Sequence, residues 1–327
     1  MANKSVLIRV PATVGNFAGA VNCAAVALDA SLNVKVTPRL DGQVAIRYFG
    51  ENGERVPRDR SNLVVRAMEA TLHLRGLEFT GADFEIYSSV PVAVGLGSST
   101  AAVLAGLIAA DRLFRLHLEE KTIFEMAEVY ESRADNLQAA WYGGFVAGTD
   151  VGQFLSCRRT AVPENLLLSV VIPETHLAKD ATRERPSERL ARKDFSLHSQ
   201  RAAALAEFFA RPKTAHSPEL DAPLPPTCEK SVPGLQEALK ARTPNLLSVF
   251  ACGSGPAVGI LTQDEPAAAV EAVKAAFARH GVGSIASGFR PSNAGARDWN
   301  AVHAQITLSP TRALGGVSVE KSTLITG

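Results

Sequence analysis

Apolar residues in the first third of the chain recur with a period of two over Val6 to Val10, Leu32 to Thr37 and Gln43 to Tyr48, and these runs predict β-strands. From Ser61 the period changes. Leu63, Val64, Ala67, Met68 and Leu72 recur at helical spacing behind a capping-type residue, which predicts a helix over Asn62 to Leu74. A strand is predicted over Ala82 to Tyr87. The alanine- and leucine-rich stretch Thr100 to Leu116 is apolar nearly all round, so it must be covered on several faces and sit centrally. A helix from about Glu119 to Arg133 and a strand running from Gly143-Gly144 to about Thr149 complete this half.

The pattern then shifts. Leu166 to Ile172 predicts a buried strand, a charged helical region reaches about Phe209, and a proline-rich loop spans Arg211 to Pro226. Strands over Leu247 to Ala251 and Ala257 to Leu261, a helix over Glu265 to His280 and a strand over Gly283 to Gly288 give a β-α-β-β-α-β order. The boundary is expected between about 152 and 165, dividing the chain into residues 1–158 and 159–327. Ala301 to Leu308 is strand-like, and the tail beyond it carries no assigned function.

Composition narrows the function classes. With 327 residues, 46% hydrophobic and 20% charged, the chain has material for a sizeable core. Its 34 basic and 33 acidic residues leave a net charge of +1, so no overall field calls for nucleic acid or an anionic membrane. No apolar run approaches the ~20 residues of a membrane span, and Val6 to Val10 is too short for a signal segment; the expected location is the cytoplasm. Cys23, Cys157, Cys228 and Cys252 have no CxxC spacing, and the seven histidines are dispersed. Neither a zinc site nor a disulfide framework is expected.

Candidate chemistry concentrates in Gly95-Leu96-Gly97-Ser98-Ser99, at the entry of the central helix. Unpaired N–H groups there lie at the positive end of the helix dipole, and glycines let the backbone approach an anion. The two serines are suited to capping the helix, binding phosphate oxygens or ligating magnesium. No lysine precedes Ser98, so this is not a Walker A loop. Taken alone, the segment is equally a tight turn with a serine N-cap.

Pro91-x-x-x-Gly95-Leu96-Gly97-Ser98-Ser99-x-Ala101 resembles the central signature of the GHMP kinases. Further segments match in order: Pro11-Ala12-Thr13-Val14-Gly15-Asn16-Phe17, Glu131-Ser132-Arg133-Ala134-Asp135-Asn136 with Gly143-Gly144, Cys252-Gly253-Ser254-Gly255-Pro256, and Gly295-Ala296-Arg297. Together they resemble homoserine kinase most closely within that superfamily, across nearly the whole chain.

The resemblance implies an α+β, two-domain GHMP kinase fold, with an N-terminal ribosomal-S5-domain-2-like domain and a C-terminal ferredoxin-like α/β sandwich. It implies an ATP- and Mg²⁺-dependent phosphotransferase acting on a small hydroxylated molecule, L-homoserine by similarity, in threonine biosynthesis. Another hydroxylated acceptor, or a nucleotide-binding sensor without turnover, are the competing readings. A homodimer is the family habit. By similarity Asn62 lies beside the adenine, while Pro91, Gly95, Leu96, Gly97, Ser98 and Ser99 hold the nucleotide; Asn62 is equally a helix N-cap. Ser99 and Glu131 are the magnesium candidates, with Glu131 equally a solvated helix residue. Asp135 and Asn136 are placed for catalysis, either one facing the reacting hydroxyl. Acceptor binding falls by similarity to Asn16, Asn22, Arg133, Arg183, Gly253, Ser254 and Gly255, the last three being equally a hairpin turn. Three of these depart from the family pattern: Ala20-Val21-Asn22 replaces Gly-Phe-Asp, Arg133 stands where the family has histidine, and Ala178-Lys179-Asp180-Ala181-Thr182-Arg183 corresponds to the family's Thr-x-x-Ala-Arg, its arginine either lost or shifted to Arg183.

Overall fold

The structure is a computed structural model that describes residues 5–17, 20, 23–131, 133–151, 154–174, 192–211, 232–253, 256–301, 306–307 and 324–325. Its first sheet is built on a long central strand. β1 (Val6–Gly15) runs antiparallel along one edge of β2 (Ala24–Pro38), while β4 (Ala82–Ser88) and β5 (Phe145–Val151) share the other edge, pairing with Leu32–Pro38 and Ala24–Val26. β3 (Val44–Phe49) lies parallel to β4, and β6 (Phe154–Thr160) pairs with β5.

Both long strands exceed the expected bounds. The alanine-rich stretch Ala24–Ala30 has weak β propensity, yet pairing with Thr13–Gly15 on one side and β5 on the other makes it strand. β6 occupies part of the expected interdomain boundary, and residue 158 falls inside it.

One face of this sheet is covered by α1 (Leu63–Leu74), α2 (Ser98–Phe114) and α3 (Glu120–Glu128), whose apolar residues form one core with those of β1, β2 and β4. Ten residues of α2 are buried, as its all-round apolar pattern predicts.

The second sheet has the order β10-β7-β9-β8, all antiparallel, from β7 (Leu166–Pro173), β8 (Leu246–Ala251), β9 (Val258–Gln263) and β10 (Ser284–Phe289). With α5 (Arg192–Ala210) between β7 and β8 and α7 (Ala267–Arg279) between β9 and β10, this is the ferredoxin-like arrangement. A short helix, α6 (Leu235–Ala238), packs with α7 over one face. Another core joins the two sheets: Val14, Val26 and Leu28 meet Leu168, Leu205 and Phe250, with the Phe17 ring tilted on Phe250 at 4.4 Å and Phe145 stacked on Phe209 at 4.6 Å.

Besides the short α6, two helices lie where none was expected. The predicted helix Glu119 to Arg133 stops at Glu128, and a separate helix, α4 (Ala134–Tyr142), follows. The reason is tertiary: the Glu131 carboxylate is captured by two hydroxyls of α2, which turns the chain before a new helix starts. The other is α8 (Ala296–Ala301). Ala301 therefore closes a helix, and only Ile306–Thr307 of the predicted terminal run is described strand, paired with Leu324–Ile325.

Residues 290–300 return from the second sheet to the first. Asp29 and Arg290 exchange backbone and side-chain bonds of 2.9 and 3.0 Å, and Asn300 Nδ2 donates to the Arg9 carbonyl at 3.0 Å. Gly295 fits against the end of α4 so closely that a Cβ there would lie 2.1 Å from the Trp141 carbonyl oxygen and 2.5 Å from the Gly143 nitrogen. Gly143-Gly144 and Gly295-Ala296-Arg297 are thus two sides of one packing contact, completed by Arg297 over the Tyr142 ring at 4.6 Å.

Cys23, Cys157 and Cys252 are free thiols, as expected; Cys228 lies outside the described residues. Among the described residues no helix is long and apolar enough to cross a membrane, and no group of three or more His, Cys, Asp or Glu side chains is placed to hold a metal ion.

Candidate active site

The apolar residues Val90, Val94 and Leu96 anchor the loop before α2 in the core, leaving Ser98 half-buried and Ser99 exposed. Thr13 at the inner end of β1 holds the loop by donating its N–H to the Leu96 carbonyl at 3.2 Å. Gly97 is the N-cap of α2 with φ +70°, and a Cβ there would come within 2.1 Å of Thr13 Oγ1. A glycine is therefore required on two counts. The cap carries no side-chain bond, so neither serine is the N-cap; both occupy the first turn. The first bond into the helix runs from Ala101 N to Gly97 O at 2.9 Å, which leaves the N–H groups of Ser98, Ser99 and Thr100 without intrahelical acceptors at the positive end of a 17-residue dipole.

Beside this helix entry lies Glu131. Ser99 Oγ and Thr100 Oγ1 both donate to its Oε2 at 2.9 Å, while its Oε1 accepts the Arg133 backbone N–H at 3.3 Å and stands 3.8 Å from Arg133 Nε. At 8% exposure Glu131 is not a solvated helix residue.

Asp135 and Asn136 fall in the first turn of α4, where an acidic side chain is favoured by the dipole. Asp135 is 2% exposed; its Oδ1 accepts the Asn136 N–H at 2.8 Å and its Oδ2 the Asn16 N–H at 3.3 Å. Burial pushes this carboxyl above the ordinary carboxylate range, against the opposing pull of the Arg133 cation and the two backbone donors. Asn136 faces the other way: its Oδ1 accepts from Thr13 Oγ1 at 2.9 Å. The second glycine loop is tied to the end of β1, with Asn16 Nδ2 donating to the Gly253 carbonyl at 3.2 Å and the Gly253 N–H to the Gly15 carbonyl at 3.0 Å. Burial, with Asp135 close by, also pushes the neighbouring Cys23 thiol up to about 12, leaving it unreactive at neutral pH.

The fold thus brings Asn16, Gly95, Gly97, Ser99, Glu131, Arg133, Asp135, Asn136 and Gly253 to one place. Pro91 and Leu96 are buried supports of the loop. Asn22, Arg183, Ser254 and Gly255 lie outside the described residues. Asn62 is the N-cap of α1: its Oδ1 accepts the Val64 N–H at 3.0 Å and its Nδ2 donates to Pro57 O at 2.9 Å, so both ends of the amide are engaged within the fold. Asn62→Ala is expected to cost about 1–2 kcal/mol, measured by urea denaturation.

Thr13 and Thr100 join this cluster without being among the sequence candidates: each is a buried hydroxyl bonded to one, Asn136 and Glu131 respectively, and the sequence signal for them is an uncharged apolar setting around a threonine.

Residues 62–144 match the family described as the GHMP kinases N terminal domain. A homoserine kinase of Thermus thermophilus is 32% identical over 280 residues, covering 81% of this chain and 90% of its own. One from Moorella thermoacetica is 29% identical over 293 residues, covering 89% and 98%. Among solved structures, a homoserine kinase from Cytophaga hutchinsonii superimposes with a TM-score of 0.72 at 24% identity over 90% of this chain and 97% of that one. A galactokinase of Lactococcus lactis shares the fold at a TM-score of 0.64 and 14% identity.

Proposed function

The chain belongs to the homoserine kinases of the GHMP superfamily, and from that premise we propose that it transfers the γ-phosphoryl group of ATP to the hydroxyl of L-homoserine, giving O-phospho-L-homoserine and ADP in threonine biosynthesis. The observation that carries the reading is the convergence of a bare helix N-terminus, the Ser99–Glu131 pair and the buried Asp135 carboxylate around the end of β1.

Phosphoryl transfer asks a protein mainly to align the attacking oxygen and to neutralise spreading charge. The N–H groups at the entry of α2 supply fixed donors to the phosphate oxygens. Ser99 Oγ and Glu131 Oε2, oxygens 2.9 Å apart with Ser99 exposed, suit a hard cation that arrives with the nucleotide and needs few protein ligands. Ser99 and Glu131 would hold magnesium, which would supply positive charge to the triphosphate. Asp135 accepts the proton of the acceptor hydroxyl, its burial making it a stronger base than an exposed aspartate. Asn136, fixed by Thr13, keeps β1 and the start of α4 in register.

The test is ³¹P NMR of the purified protein with MgATP and a panel of L-homoserine, L-threonine, L-serine, mevalonate and simple sugars. O-phosphohomoserine is the expected product; an ester on another member of the panel, or none, overturns the assignment of acceptor. Ser99→Ala removes one hydroxyl from a charge-assisted contact and is expected to lower kcat about 10- to 100-fold, measured by ADP release. An unchanged rate would remove Ser99 from the phosphate site.

A further inference from the structure

We propose that Arg133 is a catalytic residue whose Nη1 N–H donates to the phosphoryl group during transfer, beyond its ion pair with Glu131. This rests on the kinase reading above. The Arg133 side chain is 15% exposed and its guanidinium stands between two carboxylates, with Nε 3.8 Å from Glu131 Oε1 and its charge acting on Asp135. It also lies against the second glycine loop. A Cβ on Gly253 would lie 2.9 Å from Arg133 Nη1 and 3.0 Å from the Gly95 carbonyl, so the guanidinium packs on Gly253 where that loop approaches the loop before α2.

Nη1 is buried and has no hydrogen-bond partner among the described residues. A buried N–H without an acceptor is costly, and the cost disappears when an oxygen-rich anion binds against it. Charge accounting points the same way. Pro11–Phe17, Pro91–Ser99 and Ala134–Tyr142, which meet at the site, contain no lysine or arginine, and Arg133 brings a cation to Glu131, Asp135 and Gly253. In the transfer the acceptor oxygen bonds to the γ-phosphorus as the bond to the β–γ bridging oxygen breaks and ADP leaves with its electron pair. The hydroxyl proton passes to Asp135. Negative charge then spreads over the three equatorial oxygens, within the reach of a planar multi-donor group.

The experiment compares the unaltered protein with Arg133→Ala and Arg133→Lys by steady-state kinetics and by binding of ADP with and without aluminium fluoride. Arg133→Ala is expected to lose roughly 10²-fold in kcat with little change in KM for homoserine. It should lose the preference for ADP–aluminium fluoride over ADP, and regain part of the rate when guanidinium ion is added. Arg133→Lys, which keeps the charge but not the fork, should fall between the two and stands in if the alanine variant does not fold. A raised KM for homoserine at unchanged kcat would instead give Arg133 to the acceptor carboxylate and overturn the proposal. So would equal weakening of both nucleotide states without guanidinium rescue, the mark of a structural role, or no preference for the analogue in the unaltered protein. Should that protein form no phosphohomoserine, the acceptor assignment fails while the aluminium fluoride comparison still decides on Arg133.

Discussion

Asp135→Asn is expected to lower kcat with homoserine by about 10³-fold, inside the roughly 10²- to 10⁴-fold range of general-base contributions, with KM for ATP nearly unchanged. Asparagine retains the shape but only one acceptor oxygen for the two backbone donors of Asn16 and Asn136, so the melting temperature measured alongside separates the lost bond from the lost base. The pH profile provides the second reading. Burial raises the folded-state pKa of Asp135 above the ~3.9 of a free aspartate. The ionised base is therefore depleted as pH falls through a value higher than that of an exposed carboxylate, and kcat/KM should drop on an acid limb displaced upward. In Asp135→Asn this limb should vanish. A variant with the full rate would remove Asp135 from the chemistry.

Gly295→Ala should cost about 3 kcal/mol or more of stability, at the upper end of overpacking effects, because its Cβ would meet backbone rather than a side chain that can turn away. The clash at 2.1 Å from the Trp141 carbonyl, with the Gly143 nitrogen at 2.5 Å, can be relieved only by moving α4 or α8. Since α4 carries Asp135 and Asn136 in its first turn, kcat should fall together with the melting temperature. Urea denaturation and activity on one preparation check both, and unaltered stability would mean that the contact yields.

The glycine loop at the entry of α2 was legible because its signals are local. Gly97 has a left-handed φ that favours glycine, and the uncharged helix behind it could only be central. The ferredoxin-like half was legible as well, from the order of strand and helix periods. The break between α3 and α4 was not, since what ends α3 is the capture of Glu131 by Ser99 and Thr100, about thirty residues away in sequence. Glu131 and Asp135 could be singled out only through family resemblance; nothing in their local pattern separates them from solvated residues of a charged stretch. The serines next to Gly97 suggested side-chain capping, but a glycine in the cap position freed them to face outward.

The return of residues 290–300 to the first sheet has a consequence for how the protein is made. Arg9 and Asn300 are 291 positions apart, and the first strand is not fully covered until the last described helix reaches it. A nascent chain emerging from the ribosome would present β1, with the Thr13 and Asn16 that organise the site, long before its covering segment has been translated. Contacts of such long range also form late and slow folding. Competence for turnover should accordingly arrive only once residues 290–300 have emerged and docked, whatever the first sheet has achieved by then.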